Sequence, residues 1–451
     1  MSKGILQYLS GEGYDVPEAS FYKFIDLWLR WYQGKTAFHS YRTYNGKRHI
    51  NKTRKTMGMA KRIPEDWANL LLNEKVEIVV GGENQQEALD AVLDSNNFRV
   101  RGNQLVELAF ALGTGAFVVF KDKQDNINID YIRANMIFPL RYENGEITEC
   151  AFASESGTDK NRYVYLNIHT KNERGQYVIK NAYFKKQNDT LSPVDLPEGI
   201  EEEINTQSEI PLFQIIKPNI VNNIDLDNPM GISVYANSID QMEGLDLVYD
   251  SYCNEFQLGK KRIVVPVKMA RIQMDEDGTT KPIFDSNDTE FYAISGVDEG
   301  MVIKEINMSI RAADHETGFK TALNVLAKKC GLGDTYYDFE SGGVKTATEI
   351  VSEESDLFRN LKKHELILRQ ALTGLVQAIG QLSKTSFKEI SINFDDSIIE
   401  DTGTEKTQFL QEIRDGVRQK WEYRVRFLGE SEEEAKANVP AEQTDTWIFE
   451  E

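Results

Sequence analysis

The chain has 451 residues, with 52 Lys and Arg against 72 Asp and Glu, a formal charge of −20. At roughly 150 residues per domain, two to four domains and a substantial core are expected. The acidic balance argues against a general nucleic-acid binder, because phosphate affinity comes mainly from Lys and Arg that displace condensed counterions. An apolar content of 40% with 10% aromatics is too rich for wholesale disorder.

Met1 to Ser10 carries one Lys and no sustained apolar core, so no signal peptide is expected. The pattern predicts an opening helix from Pro17 to Trp31, with Asp15 as a cap and Phe21, Phe24, Ile25, Trp28 and Leu29 at helical spacing. From Gly34 to Pro64 there are nine Lys or Arg residues and no Asp or Glu, a local inversion of the global charge. Pro64 suits the first turn of a helix whose Trp67, Leu70 and Leu71 form an apolar face.

After a helix around Gln104 to Leu112 come six short β runs: Phe117 to Lys121, Ile127 to Ile132, Ile137 to Tyr142, Ile147 to Ala153, Tyr163 to His169 and Tyr177 to Lys185. Asn144-Gly145 and the stretch from Glu173 to Gln176 supply turn chemistry, which predicts an antiparallel meander. Ser192 to Glu209, rich in Pro and Glu, reads as an exposed loop.

Ser233 to Lys260 predicts a helix of about 42 Å, acidic through Asp240, Glu243, Asp246, Asp250 and Glu255. A β-rich insert follows from Ile263 to about Ile310, and a helix from Arg311 to Lys329 returns from it to pair with the first. Gly331 to Gly343 is a loop carrying Asp334, Tyr336, Tyr337, Asp338, Phe339 and Glu340 with no Lys or Arg. Composition alone makes it a flexible connector.

Thr346 to Glu349 is a capping box, and apolar residues from Ile350 to Leu382 keep helical spacing to Ser383. That is about 57 Å if unbroken, with Gly374 and Gly380 as places to bend. A short strand from Ile390 to Phe394, an acidic turn and small helices around Thr404 to Arg414 and Arg418 to Phe427 complete the chain.

Tests for catalytic motifs fail one by one. Cys150, Cys253 and Cys330 are too far apart for a disulfide framework or zinc ribbon, and a reducing compartment fits them. Gly342 to Thr346 has Val344 where a Walker A glycine must stand, and Gly113-Thr114-Gly115 lacks the third glycine of a dinucleotide fingerprint. His364-Glu365 and His315-Glu316 each lack the second histidine of a zincin, and Tyr235 spoils the nearest nucleophile elbow. The sixteen-residue run from Leu105 to Phe120 falls short of a membrane span.

Asp395, Asp396, Glu400 and Asp401 would suit two Mg²⁺ for phosphodiester cleavage, yet a solvated acidic turn is the simpler reading. For the basic stretch, pairing with acidic neighbours in an assembly is preferred over a DNA contact, because the total charge opposes DNA capture.

The runs Trp31-Tyr32-Gln33-Gly34 with Tyr41, Met59-Ala60-Lys61 and Asp66 to Glu74 resemble the N-terminal region of portal proteins of tailed double-stranded DNA phages. Thr346 to Glu353 with Lys362-Lys363-His364, and Phe394 to Ile398, agree in order and spacing, nearest to the siphophage portal and minor capsid type. The resemblance implies an α+β, portal-like subunit with long stem and wing helices, an antiparallel β wing and a small β-rich clip. It would divide the chain into a wing at 1–230 with the strand region 386–397, stem helices at 231–262 and 311–330, and a clip at 263–310. A tunnel loop at 331–345, a long helix to the wing at 346–383 and a crown at 398–451 would follow.

Function follows from the same resemblance. The chain would be a non-enzymatic ring subunit without cofactors, typically in twelve copies, at one capsid vertex of the virion after assembly in the host cytoplasm. The ring would be a conduit for double-stranded DNA in packaging and ejection. Its partners would be the terminase large subunit, major capsid and scaffolding proteins and head-completion adaptors, with no membrane.

Within it, Asp334, Tyr336, Tyr337, Asp338 and Glu340 would belong to the tunnel loop, with some stem-helix acids facing the bore. Arg54, Lys55, Lys61 and Arg62 would meet an acidic surface of a neighbouring subunit. A metal-dependent nuclease of the packaging apparatus and a non-portal structural protein of a phage-like particle are the rival readings.

Overall fold

The computed structural model describes residues 2–44, 48–158, 161–187, 190–258, 262–266, 272–274, 280–282, 291–294, 304–306, 309–337, 347–394, 409–415, 417–428 and 432–439. Two helices open the chain, α1 (Ser2–Gly11) and α2 (Ala19–Tyr32). Only the second is announced by periodicity. Helix α1 forms around Ile5, Leu6 and Leu9, a buried stripe too short to register as an apolar run.

Strands β1 (Ser40–Tyr44) and β2 (His49–Thr53) pair antiparallel inside the basic stretch. No apolar alternation predicts them, because their side chains are mostly exposed. Helix α3 (Met59–Leu71) begins five residues before Pro64, so the proline lies inside the helix and not in its first turn. It tolerates the lost backbone bond because Ile63, Trp67, Ala68 and Leu71 are sealed in the core.

After β3 (Glu77–Val79) and α4 (Glu83–Ser95) comes α5 (Phe98–Leu112), longer at its start than the spacing predicts. All six β runs are strands: β4 (Gly115–Lys121), β5 (Ile127–Arg133), β6 (Ile137–Glu143), β7 (Glu146–Thr158), β8 (Asn161–Lys171) and β9 (Tyr177–Gln187). They do not form one meander. The buried turn Ala134–Met136 divides them, leaving β4 and β5 in a sheet ordered β12-β4-β5, where β12 is Phe213–Ile216.

Strands β6 to β9, β10 (Thr190–Val194) and β11 (Glu203–Asn205), which pairs with β9, make a six-stranded antiparallel sheet. Asn144 and Gly145, with φ of 52° and 79°, make the predicted tight turn between β6 and β7. The stretch from Ser192 to Glu209 is mostly exposed, as expected, but it includes the end of β10 and the whole of β11.

Helix α6 (Ile239–Leu258) spans 20 residues, about 30 Å. It starts later than predicted because Ser233, Val234 and Tyr235 are buried in an irregular segment, with the Tyr235 hydroxyl donating to Trp28 O at 2.9 Å. Helix α7 (Ala312–Lys329) packs antiparallel to it, with Lys329 near Gln241, Phe319 against Tyr249 and Arg311 on Glu255. Between them lie β13 (Arg262–Pro266), β14 (Ile272–Met274), β15 (Thr280–Pro282), β16 (Phe291–Ile294) and β17 (Lys304–Ile306), so the insert is β-rich as predicted.

Helix α8 (Ala347–Ser383) runs unbroken for 37 residues. Its glycines admit close neighbours. A Cβ at Gly374 would lie 2.3 Å from the Gln214 side chain, and one at Gly380 would lie 2.6 Å from Thr385 O. Leu372, Leu375, Val376 and Ile379 are wholly buried beneath β12 and β4. Strand β18 (Ser391–Asn393) returns to pair with β3. Short helices at 409–414, Lys420–Leu428 and Glu432–Ala437 end the described chain, held by the rings of Phe409, Tyr423 and Phe427.

Gly113 fixes how the segment before α6 meets α5. Its φ is +89°, and a Cβ there would lie 2.4 Å from Gly231 O. The contact is closed by Gly231 N–H on Thr114 Oγ1 at 3.1 Å and Val234 N–H on Phe110 O at 3.0 Å. Gly113→Ala should therefore lower unfolding free energy by about 3 kcal/mol. Urea denaturation checks this, and a loss below about 0.5 kcal/mol would contradict the close approach.

Candidate functional site

The Gly-rich loop after α7 is anchored at its root. Gly331 has φ +85°, its carbonyl accepts from Asn360 Nδ2 at 3.0 Å, and Cys330 O accepts from the Trp67 indole at 3.1 Å. Two residues predicted to belong to this loop dock on α3. Tyr337 donates its hydroxyl to Asp66 Oδ2 at 2.7 Å, with the Tyr336 ring edge-on at 5.0 Å. Burial, then Asp66, raises the Tyr337 hydroxyl far above 10 and pushes Tyr336 up to about 12. Both hydroxyls stay protonated, so Tyr337 remains a donor.

Asp66 is 3% exposed. Burial pushes its carboxyl above the usual value against the opposing pull of Tyr337 and Arg62, whose guanidinium pairs with it at 2.8 Å. Asp334 is exposed, with Lys328 Nζ at 3.5 Å. Asp338 and Glu340 lie outside the described residues.

The basic stretch is fastened to α6 by two acids. Asp246, 4% exposed, accepts from His39 Nε2 at 2.7 Å, the Thr56 hydroxyl at 2.9 Å and Met57 N–H at 2.8 Å. Asp250, one turn further, accepts from Lys55 N–H at 2.9 Å. These residues form a strap across the helix. Of the stem acids expected to face a bore, Asp246 and Asp250 are thus turned inward, and Glu255 is clamped by Arg311 at 2.8 Å. That clamp holds the Glu255 carboxyl down to about 2. Asp240 is exposed.

The four cations predicted to meet a neighbour divide in the same way. Arg54 donates to Phe38 O and stacks on the Phe38 and Tyr41 rings at 4.6 and 4.4 Å. Lys61 pairs with Glu65 and Glu107, and Arg62 with Asp66. The Lys55 side chain is exposed and has no ion pair among the described residues.

His364, which failed the zinc motif, is a packing residue. Its Nδ1 accepts Asn219 N–H at 3.0 Å, and its ring meets Trp67 and Phe110 edge-on. Burial lowers its pKa to about 3, so it is neutral at pH 7. Among the described residues no cluster of His, Cys, Asp and Glu has metal-holding geometry, and no helix is long and apolar enough to cross a membrane. The acidic turn from Asp395 to Asp401 lies outside the described residues.

Sequence reasoning misses the His39 and Asp246 pair because its members are 207 residues apart. The available signal is Asp246 and Asp250 spaced one turn apart on one side of the helix. Asp246→Ala would leave the buried His39 Nε2 and the half-buried Met57 N–H without their acceptor and free the Thr56 hydroxyl, and should cost about 3 kcal/mol, with Asp246→Asn costing less. Thermal and urea unfolding of both variants measure this, and equal stability with wild type would contradict the strap.

No curated protein matches the chain. Among solved structures, a chain in the "Neck of native GTA particle computed with C12 symmetry" is similar at 12% identity and a TM-score of 0.41. That match covers 80% of this chain and 89% of that one, a likeness too loose to bear on function. The model of the family described as "Phage portal protein, SPP1 Gp6-like" matches residues 18–435. Nearly the whole described fold, from α2 into the helix Glu432–Ala437, lies within that span, and the chain belongs to this portal protein family.

Proposed function

We propose that the chain is the ring-forming subunit of a portal at one vertex of a phage capsid, a conduit for DNA in packaging and ejection. Terminase would dock on it, as would the head-completion proteins. The observation that carries this reading is the family match over residues 18–435. The architecture is compatible with it. An antiparallel helix pair, α6 and α7, carries the β-rich insert at one end and the anchored acidic loop at the other. In this reading 263–310 is the clip, 331–345 the tunnel loop and 398–451 the crown.

A conduit must let a polyanion slide, and a wall poor in Lys and Arg offers few phosphate-binding sites. In this reading the exposed Asp334 contributes to such a lining together with Asp338 and Glu340, which follow it in the sequence. Tyr336 and Tyr337 serve as its foundation. The cations of the basic stretch act within the subunit at Arg54, Lys61 and Arg62, leaving Lys55 as the one of the four available to a neighbour.

Negative-stain imaging of the purified protein, with parallel incubation on linear double-stranded DNA and Mg²⁺ or Mn²⁺, tests the proposal. Rings with a central opening and intact DNA are expected. Compact monomers would overturn the ring, and cleaved DNA abolished by Asp395→Asn and Asp396→Asn would establish the nuclease instead.

A further inference from the structure

We infer that the ribbon β1–β2 of one subunit docks on the loop at 219–230 of a second copy of this chain; the inference rests on the ring reading above. The ribbon's pairing places Ser40, Arg42 and Tyr44 on one face with His49, Asn51 and Thr53, and all six are exposed. Among the described residues the two strands pair only with each other. A lone two-stranded ribbon is marginal in water, so an exposed face of this kind calls for a cover. Its chemistry is defined by Arg42, which has no carboxylate partner among the described residues, and by the Tyr44 ring, 59% exposed and lying 5.3 Å from His49. The cover must be anionic with an apolar part.

The loop at 219–230 has that chemistry and is held ready. Buried Asn222 accepts from Ile224 N–H at 3.2 Å and Asp225 N–H at 3.1 Å while donating to Met230 O at 2.9 Å. The amides of Asn223 and Asn237 bond each other at 3.0 Å, and Asn219 ties the loop to Lys363 O at 2.7 Å. So stitched, the loop exposes Val221 by 74% and Leu226 by 77%, more than the other large apolar side chains described apart from Val417. Asp227 beside Leu226 is exposed and has no ion pair among the described residues.

Apolar side chains fixed in water at such exposure mark an interface, and pre-ordering keeps the entropic cost of docking low. Arg42 on Asp227 and Tyr44 on Val221 and Leu226 match charge to charge and apolar to apolar. A second copy is the fitting occupant because both halves are on every subunit. Since the two patches differ, the contact is head-to-tail, the kind that closes rings.

The test uses the full chain and the variants Arg42→Glu, Asp227→Arg, their combination, and Leu226→Asn. Native mass spectrometry and negative-stain counts read the ring, and circular dichroism confirms folding. Each single variant should stay folded and lower the ring fraction by about tenfold or more, and the charge swap should restore it. Rings at wild-type level in Arg42→Glu overturn the ribbon's role while leaving the portal reading standing. Loss in the single variants without restoration by the swap overturns the pairing of ribbon with loop, in favour of each patch meeting another surface of the neighbouring copy. A wild-type chain that forms no ring at all overturns both.

Discussion

A buried carboxylate must be fully bonded or it is costly, and Asp246 satisfies that demand with three donors drawn from residues 189 to 207 positions earlier in the chain. This one requirement decides how the N-terminal basic stretch and the acidic helix α6 lie together. Backbone N–H groups of Lys55 and Met57, more than their neighbours' cationic heads, make the contact, so the stretch is placed by hydrogen bonds that salt does not readily screen.

The contacts then form a closed circuit. The strap at Met57 leads directly into α3, whose Trp67 and Asp66 hold the root of the Gly-rich loop. That loop descends from α7, which Arg311 on Glu255 locks against α6, and α6 carries Asp246 itself. Helix α8 seals the ring of contacts, with Asn360 on Gly331 and His364 between Trp67 and Phe110. The root of the Gly-rich loop is thus held on a fixed base. In the portal reading, the stiffness of the mount matters as much as the charge of the loop.

What the sequence disclosed and what it withheld divide along physical lines. Elements that bury an apolar face were legible: α2, α8 and the six β runs all announce themselves by period. Those that bury little were not, as with β1 and β2, or bury it briefly, as with α1. The split of the strands into two sheets depends on the buried turn Ala134–Met136, which has no periodicity to read. Gly113, Gly374 and Gly380 look like breaks or bends in one dimension and prove to be close approaches in three. Among the candidate site residues, Tyr336 and Tyr337 stand out in the sequence with their loop, but their anchoring depends on Asp66, 271 residues away from Tyr337.

The central claim is that the strap and α6 form one rigid unit through Asp246 and Asp250, and amide hydrogen exchange measures it most directly. The Met57 and Lys55 amides should exchange as slowly as the core of α6, and the Met57 amide should speed up selectively in Asp246→Ala. Rapid exchange of both amides in the intact protein, at the rate of an open loop, would contradict the account.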